Sequence, residues 1–147
     1  MDTSDFIQKH NASQKLDLSK LNYTFKDKPL LVGGMAKEAY EVRKSGKDID
    51  LIVSEVDYIA LSKLYQNNLR DLFGDLGVVV YDFEIWKTIA SYGYTFLSEN
   101  AFELDNYKLV TLENLLFMTS LATSKEKYKL DFDLIIKRIF DLRYNRN

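Results

Sequence analysis

Two pairs of acidic residues, each with a single residue between its members, are the side chains in this sequence best spaced to do chemistry. Asp48 and Asp50 begin the stretch DIDLIV, and Asp82 and Glu84 follow the apolar run GVVVY. In a β-strand, residues i and i+2 point to the same face, with Cα atoms about 6.6 Å apart. Each pair therefore presents two carboxylates side by side, and their repulsion is tolerable only when water or a cation neutralises it.

A hard divalent cation that prefers oxygen ligands suits such carboxylates, so we expect Mg²⁺ (or Mn²⁺) as the cofactor. Neighbouring strands lie about 4.8 Å apart, so Asp82 or Glu84 could complete a three-carboxylate cluster with Asp48 and Asp50. The spacing does not decide between these two acids. Such a cluster could hold two metal ions roughly 4 Å apart, an arrangement suited to in-line displacement at phosphorus.

Two glycines supply a second candidate feature. Gly33 and Gly34 lie between the apolar run LLV and the start of a predicted helix. Without Cβ atoms they let backbone N–H groups approach a phosphate, which a helix N-terminus also favours. A triphosphate held there, with metal at the aspartates, would support phosphoryl or nucleotidyl transfer by positioning and charge neutralisation.

The elements that must position these residues follow from apolar periodicity and from capping signals. Ser54 and Thr111 are predicted helix caps, and Thr123 with Glu126 forms a T-x-x-E capping box. Residues 87–106 match no single type of secondary structure. We consider a short helix followed by a loop for this segment. We predict helices over 4–24, 35–42, 55–73, 111–121 and 123–142, and strands over 30–33, 48–53, 77–86 and 107–110, the last at a sheet edge.

This order of elements predicts an α/β (α+β) fold, in which helices flank a small mixed central sheet. We expect one domain over 1–147, with a core over about 28–110 and C-terminal helices over about 111–142. The formal net charge of −2 does not suggest strong nucleic-acid binding, and the absence of cysteine excludes disulfides and thiolate metal sites. No apolar run approaches the roughly 20 residues of a membrane span. We therefore expect no membrane partner and a cytoplasmic location.

The stretch GGMAKEAYEVRKSGKDIDLIV resembles the start of the nucleotidyltransferase fold shared with DNA polymerase β-like enzymes. In that superfamily, Gly-Gly or Gly-Ser opens a helix and a D-x-D or D-x-E follows on the next strand. The closer likeness is to the AbiEii/AbiGii toxin-like and related small nucleotidyltransferases. In those proteins a Tyr and an Arg-x-Ser lie between the glycines and the aspartates, and here these positions are Tyr40, Arg43 and Ser45.

The resemblance implies roles for individual residues. Gly33 and Gly34 would contact nucleotide phosphates, and Asp48 and Asp50 would bind metal. Asp82 is favoured over Glu84 as the third carboxylate and metal ligand, because the family's acid usually ends such an apolar run. The remaining residues carried over as nucleotide-binding are Met35, Arg43, Ser45, Lys127 and Lys129.

The sequence departs from the family pattern at two places. Met35 stands where a Ser or Thr hydroxyl commonly helps to hold phosphate. The lysine expected in the penultimate helix is replaced by Met118, Thr119 or Ser120. Simpler interpretations also stay open: Arg43 suits a structural pair with an acidic residue, and Lys127 with Asp131 is an ordinary helical i,i+4 pair.

The resemblance implies a metal-dependent nucleotidyltransferase that moves NMP from an NTP to an acceptor and releases pyrophosphate. The acceptor could be RNA, a protein or a small molecule, and the sequence does not select among them. The alternative is a catalytically inactive relative that serves as a binding or regulatory module. Either protein could belong to a toxin–antitoxin pair, which would add a cognate protein partner.

Overall fold

The computed structural model describes residues 15–72 and 74–144, which contain a seven-stranded mixed sheet, a separate two-stranded ribbon and five α-helices. This confirms the predicted α+β class with a mixed central sheet. The strands are β1 (Leu30–Val32), β2 (Ile49–Ile52), β3 (Leu69–Leu72), β4 (Asp75–Val80), β5 (Phe83–Trp86), β6 (Thr88–Ile89), β7 (Tyr92–Gly93), β8 (Phe102–Glu103) and β9 (Lys108–Leu109). The α-helices are α1 (Gly33–Ala39), α2 (Glu55–Leu64), α3 (Tyr94–Leu97), α4 (Leu112–Ser120) and α5 (Glu126–Arg143).

The large sheet has the strand order β3–β4–β5–β2–β1–β9–β8, and β6 pairs with β7 in the ribbon. Strand β2 is the central strand, antiparallel to β1 and parallel to β5. Leu51 and Ile52 of β2 and Ile85 of β5 are fully buried. This agrees with the uniformly apolar pattern that follows Asp50, as expected for a strand covered on both faces.

Two predicted helix caps are confirmed. The Ser54 hydroxyl accepts a hydrogen bond from the Asp57 backbone N–H at the start of α2. The Thr111 hydroxyl accepts one from the Asn114 N–H at the start of α4. Each cap satisfies a backbone donor that lacks a partner within the helix.

The prediction of one strand over 77–86 is wrong, because the chain turns back on itself within this range. Val80 pairs with Phe83, so Tyr81 and Asp82 form a two-residue turn between the antiparallel strands β4 and β5. Tyr81 adopts a left-handed conformation with φ +54°. The turn could not be recognised from the sequence, because apolar and β-branched residues lie on both sides of it. Two adjacent strands then have the same composition as one long strand.

The predicted extent of two helices is also wrong. The helix expected over 55–73 ends at Leu64, and residues 69–72 form β3 in pairing with β4, while residue 73 lies outside the described residues. Of the helix predicted over 4–24, residues 4–14 lie outside the described range, and the rest contains only the 3₁₀ turn Ser19–Leu21. In this segment the backbone of Leu16 pairs with a distant side chain instead of a helical neighbour. The Leu16 N–H donates to Asn106 Oδ1, and the Asn106 amide N–H donates to the Leu16 carbonyl.

Three further predictions need adjustment. Strand β9 lies between β1 and β8, so the segment 107–110 is not at the sheet edge. Helix α5 begins at Glu126, but its N-cap is Lys125 and no side chain caps it, so the expected box with Thr123 does not form. Residues 87–106 contain the β6–β7 ribbon, the short helix α3 and β8. Within the described ranges, no helix combines the length and hydropathy needed to cross a bilayer.

Candidate functional site

Pairing of the two central strands brings Asp50 and Glu84 together. In the parallel β2–β5 ladder these two residues are direct register partners, whereas Asp82 lies in the exposed turn before β5. Asp48 lies one residue before β2 and is exposed. Of the two acids that the spacing left open, the structure therefore places Glu84 beside Asp50, although the resemblance favoured Asp82.

Gly33 makes room for this carboxylate. It adopts φ +68°, and a Cβ atom built at this position would lie 2.0 Å from Asp50 Oδ2. Gly34 has no such constraint, because the nearest atom to its added Cβ would be the Ser45 Cβ at 3.4 Å. The contact with Asp50 explains why residue 33 is a glycine without invoking a bound phosphate. The aspartate side chain occupies the volume that the Cβ of any other residue would need.

The Asp50 carboxyl group is held in an environment that disfavours its charge. Burial is the largest cause, followed by hydrogen bonding to Glu84 and by repulsion from Glu84 and Asp48, and together they raise its pKa to about 8. Attraction by Lys37 offsets part of this rise. The Asp50 Oδ1 atom is buried and lacks a hydrogen-bond partner within the described residues, so the contact with Glu84 does not satisfy it.

An unpaired buried oxygen beside a second carboxylate calls for a proton or a cation. Mg²⁺ fits the chemistry of this donor set, which offers only carboxylate oxygens. The predicted three-carboxylate cluster is nevertheless not assembled. Within residues 15–72 and 74–144, no group of three or more acidic or histidine side chains converges closely enough to hold a metal ion. The structure thus supplies a central carboxylate pair with Asp48 nearby.

A buried ion-pair network lies next to the carboxylates and joins α1 to α5. Lys37 Nζ lies 2.9 Å from Asp131 Oδ2, and Arg43 Nε lies 2.7 Å from Asp131 Oδ1. Lys37 and Asp131 are only 3% and 2% exposed. Burial lowers the pKa of Lys37, an effect that the bond to Asp131 opposes. Burial would raise the pKa of Asp131, but the hydrogen bonds from Arg43 and Lys37 outweigh it and lower that pKa.

This network accounts for Arg43, which was predicted to bind nucleotide. Its Nη2 donates to Asp131 Oδ2 at 3.0 Å, and its Nη1 donates to the Lys44 carbonyl at 2.9 Å. Three guanidinium nitrogens are therefore engaged within the protein, as the alternative of a structural ion pair predicted. Ser45 also has internal contacts, because its backbone N–H donates to Glu38 and its hydroxyl to the Gly46 carbonyl.

The other predicted nucleotide-binding residues make contacts of their own within the protein. Met35 is half-buried and packs against the hydrophobic core. Lys127 is exposed, with its ammonium 5.4 Å from the centre of the Tyr128 ring. Lys129 is exposed and pairs with Glu126 at 3.7 Å. The helical pair expected between Lys127 and Asp131 is replaced by the buried network, which includes the Asp131 carboxylate.

A mainly apolar cavity of about 170 Å³ opens beside Asp50. The sheet forms one wall through Asp50 and Trp86, and α4 and α5 form the opposite one. The residues that sequence analysis missed here are Lys37, Trp86 and Tyr128. Trp86 could have been found, since it follows Glu84 by two positions and therefore shares its face of β5. The other two depend on long-range packing. The lining side chains on the helices and ribbon include Lys37, Ile89, Leu115, Met118, Thr119 and Tyr128.

Comparison of the chain with protein-family models, curated proteins and solved structures finds no match. The fold and the site themselves define a mixed α+β protein with an acidic pair on its central strands. A glycine with left-handed backbone adjoins this pair, and an apolar cavity extends from it.

Proposed function

We propose that this protein is a metal-dependent nucleotidyltransferase that transfers NMP from an NTP to an acceptor hydroxyl and releases pyrophosphate. The observation that carries the proposal is the direct pairing of Asp50 with Glu84 beside Gly33. A half-buried carboxylate pair is costly for stability unless a proton or a cation compensates it. Its position at the central strands, next to a cavity, is typical of a binding site rather than of a structural ion pair.

In the proposed reaction, the acceptor oxygen attacks the α-phosphorus, and the bond to the bridging oxygen of the pyrophosphate breaks. Glu84 accepts the proton of the acceptor hydroxyl, because it is the carboxylate that pairs directly with Asp50 across the β2–β5 ladder. Asp50 and Asp48 supply the negative charge that binds the cation. Bound Mg²⁺ would neutralise the phosphate oxygens and favour the in-line geometry.

Lys37 contributes in a way that the resemblance did not anticipate. The family pattern places a lysine on the penultimate helix, where this chain has Met118, Thr119 or Ser120. Here an ammonium group reaches the same cavity from α1, because Lys37, Met118 and Thr119 all line it. Its hydrogen bond to Asp131 fixes the position of this charge near Asp50. We propose that it balances part of the charge of the carboxylates when a nucleotide binds.

The test offers each of the four α-labelled NTPs with Mg²⁺ to the purified protein in a cell extract. Asp50→Asn and Glu84→Gln test the carboxylate pair, and Asp82→Asn is the matched control, since that side chain lies in the exposed turn. We expect wild type and Asp82→Asn to label RNA, protein or a small molecule, and the other two variants to lose at least a hundredfold. Equal labelling by wild type and Asp50→Asn would refute the proposal.

The alternative of a non-catalytic binding or regulatory module has an observation of its own. Arg43 and Lys37 are both engaged by Asp131, and no three-carboxylate metal group is present in the described part of the chain. A module of this kind would bind nucleotide or a cognate protein with no transfer. Nucleotide binding that is unchanged by Asp50→Asn and by removal of Mg²⁺, together with no labelling, would favour it.

A further inference from the structure

An apolar patch lies at the surface where α4 meets the β6–β7 ribbon and α3. Phe117 and Leu121, the C-cap residue of α4, are four positions apart and therefore share one face of the helix. The rings of Tyr92 and Phe96 pack against Phe117, with ring centres 4.9 Å and 5.8 Å away. Leu121, Phe96 and Tyr92 are nevertheless 43%, 46% and 38% exposed. A contiguous patch of this kind, unlike a single exposed apolar residue, is typical of an interaction site.

A groove of about 470 Å³ continues from this patch. Phe96 and Phe102 give it aromatic lining, and Glu99 and Glu113 give it carboxylates. Glu113 precedes Phe117 by four positions, so it extends the same face of α4. Both glutamates are exposed, and neither makes an ion pair or a side-chain hydrogen bond with another described residue. The groove therefore joins aromatic surface to negative charge that the described part of the chain does not balance.

The charge around the groove is one-sided. Residues 88–124 contain four acidic residues and a single basic one, Lys108. Lys108 is the register partner of Glu103 in the β8–β9 ladder, and Phe102 is the residue before Glu103. Because successive residues of a strand point to opposite faces, Lys108 and Glu103 lie on the face opposite to Phe102. The only positive charge of this segment is thus on the other side of the ladder from the groove.

We propose that the patch and the groove bind a basic segment of a partner protein, with an arginine side chain in the groove. A guanidinium group is planar and cationic, so it stacks on a phenylalanine ring and also pairs with carboxylates. It therefore accounts for both kinds of lining. An apolar side chain of the same segment would contact Phe117 and Leu121. A small amine would fill the groove and leave the apolar patch uncovered, which is why a protein segment fits better.

The length of the surface limits the segment. Leu121 follows Glu113 by eight positions on α4, a distance of about 12 Å at 1.5 Å per residue. An extended chain covers about 3.3 Å per residue, so about four residues span the same distance. The partner segment should thus carry an arginine and an apolar residue about four positions apart.

The experiment titrates short peptides, in which two, three or four serines separate an arginine from a leucine, into the ¹⁵N-labelled protein. Both sequence directions are used, with no nucleotide or metal. The NMR amide signals of Glu99 and Glu113 follow binding, and we expect at least one peptide to shift both signals saturably. Replacing its arginine by citrulline, which keeps the shape and removes the charge, should weaken binding at least fivefold, and so should replacing its leucine by serine. No saturable shift with any peptide, or equal binding of the citrulline peptide, would overturn the proposal.

Three isosteric variants test the location. Glu99→Gln and Glu113→Gln neutralise the groove, and Glu103→Gln is the matched control on the opposite face of the β8–β9 ladder. All three side chains are exposed, so the variants should fold like wild type. We expect each groove variant to weaken peptide binding at least twofold, the two together at least fivefold, and Glu103→Gln to leave it unchanged. Binding that the combined groove variant leaves at the wild-type level contradicts the assignment.

Two other occupants are distinguished by further measurements. Spermidine that binds as tightly as the arginine peptide would identify a small-amine site and refute the protein partner. Sedimentation equilibrium tests for a second copy of this chain. A wild-type dimer that becomes monomeric when Glu99→Gln and Glu113→Gln are combined would assign the surface to self-association and also overturn the proposal, whereas a monomer at all concentrations supports it.

Discussion

Alanine substitution at the two glycines gives the sharpest test of how the site is built. Gly33→Ala places a methyl group 2.0 Å from Asp50 Oδ2 and 2.8 Å from its Cγ, in a backbone conformation with φ +68°. The left-handed conformation costs a residue with a Cβ about 1–2 kcal/mol. Displacing the packed carboxylate adds about 1–3 kcal/mol. The expected loss in unfolding free energy is therefore about 2–5 kcal/mol.

Gly34→Ala is the matched control. Its methyl group would meet the Ser45 Cβ at 3.4 Å, which is ordinary contact. Alanine is also favoured over glycine in a helix by about 0.5–1 kcal/mol. We expect this variant to be as stable as wild type or slightly more stable. Urea unfolding, followed by circular dichroism and by Trp86 fluorescence, measures both changes.

A double-mutant cycle separates the two causes of the loss at Gly33. Asp50→Gly removes all three Asp50 atoms that would lie within 3 Å of the new methyl group, namely Oδ2, Cγ and Cβ. In that background, Gly33→Ala should cost only the conformational part, about 1–2 kcal/mol. The coupling between the two positions is then about 1–3 kcal/mol. A cost at Gly33 that is the same with and without the Asp50 carboxylate, or equal losses at the two glycines, would refute the packing described here.

Three further outcomes are expected. Asp131→Asn leaves the Lys37 charge buried and should destabilise the protein by about 3–5 kcal/mol in urea unfolding. As the control, Lys137→Ala removes the helical pair between the exposed Lys137 and Asp141 and should change stability by less than about 0.5 kcal/mol. Folding raises the pKa of Asp50 from 3.8 to about 8. The unfolding free energy of wild type relative to Asp50→Asn should therefore fall as pH rises from about 4 to about 8 and stay constant at higher pH. Parallel pH profiles of the two proteins would contradict this. Tyr40→Phe removes the buried hydrogen bond of 2.7 Å from the Tyr40 hydroxyl to the Val110 carbonyl and should lower the unfolding free energy by about 1–3 kcal/mol. Thermal unfolding measures this loss, and an unchanged melting temperature would count against the bond.

The parts of this fold that depend on short-range signals could be predicted from the sequence. The apolar run after Asp50 predicted a central strand, and Ser54 and Thr111 marked the starts of two helices, because each signal is complete within a few residues. The β4–β5 hairpin could not be predicted in this way. Its turn contains Tyr81 in a left-handed conformation, where glycine or asparagine would have been the usual signal.

In the candidate site, too, the features set by short-range signals could be predicted and those set by distant contacts could not. The spacing of Asp48 and Asp50 indicated a carboxylate site, but the choice between Asp82 and Glu84 depended on the register that the unrecognised turn sets. Arg43 was a candidate ligand until its partner was known. That partner is 88 residues away along the chain, and no local pattern reports such a contact.

The long separation of the ion-pair partners has a consequence for the order of folding. Lys37 and Asp131 are 94 residues apart, and α5 follows every strand of the sheet in the chain. Contacts between distant residues form only after the loop-closure entropy has been overcome, so they tend to be late. The wall of the cavity that α5 provides should therefore close last, after the sheet. In stopped-flow refolding, Trp86 fluorescence should recover more slowly than the circular dichroism of the backbone, and simultaneous recovery would contradict this order.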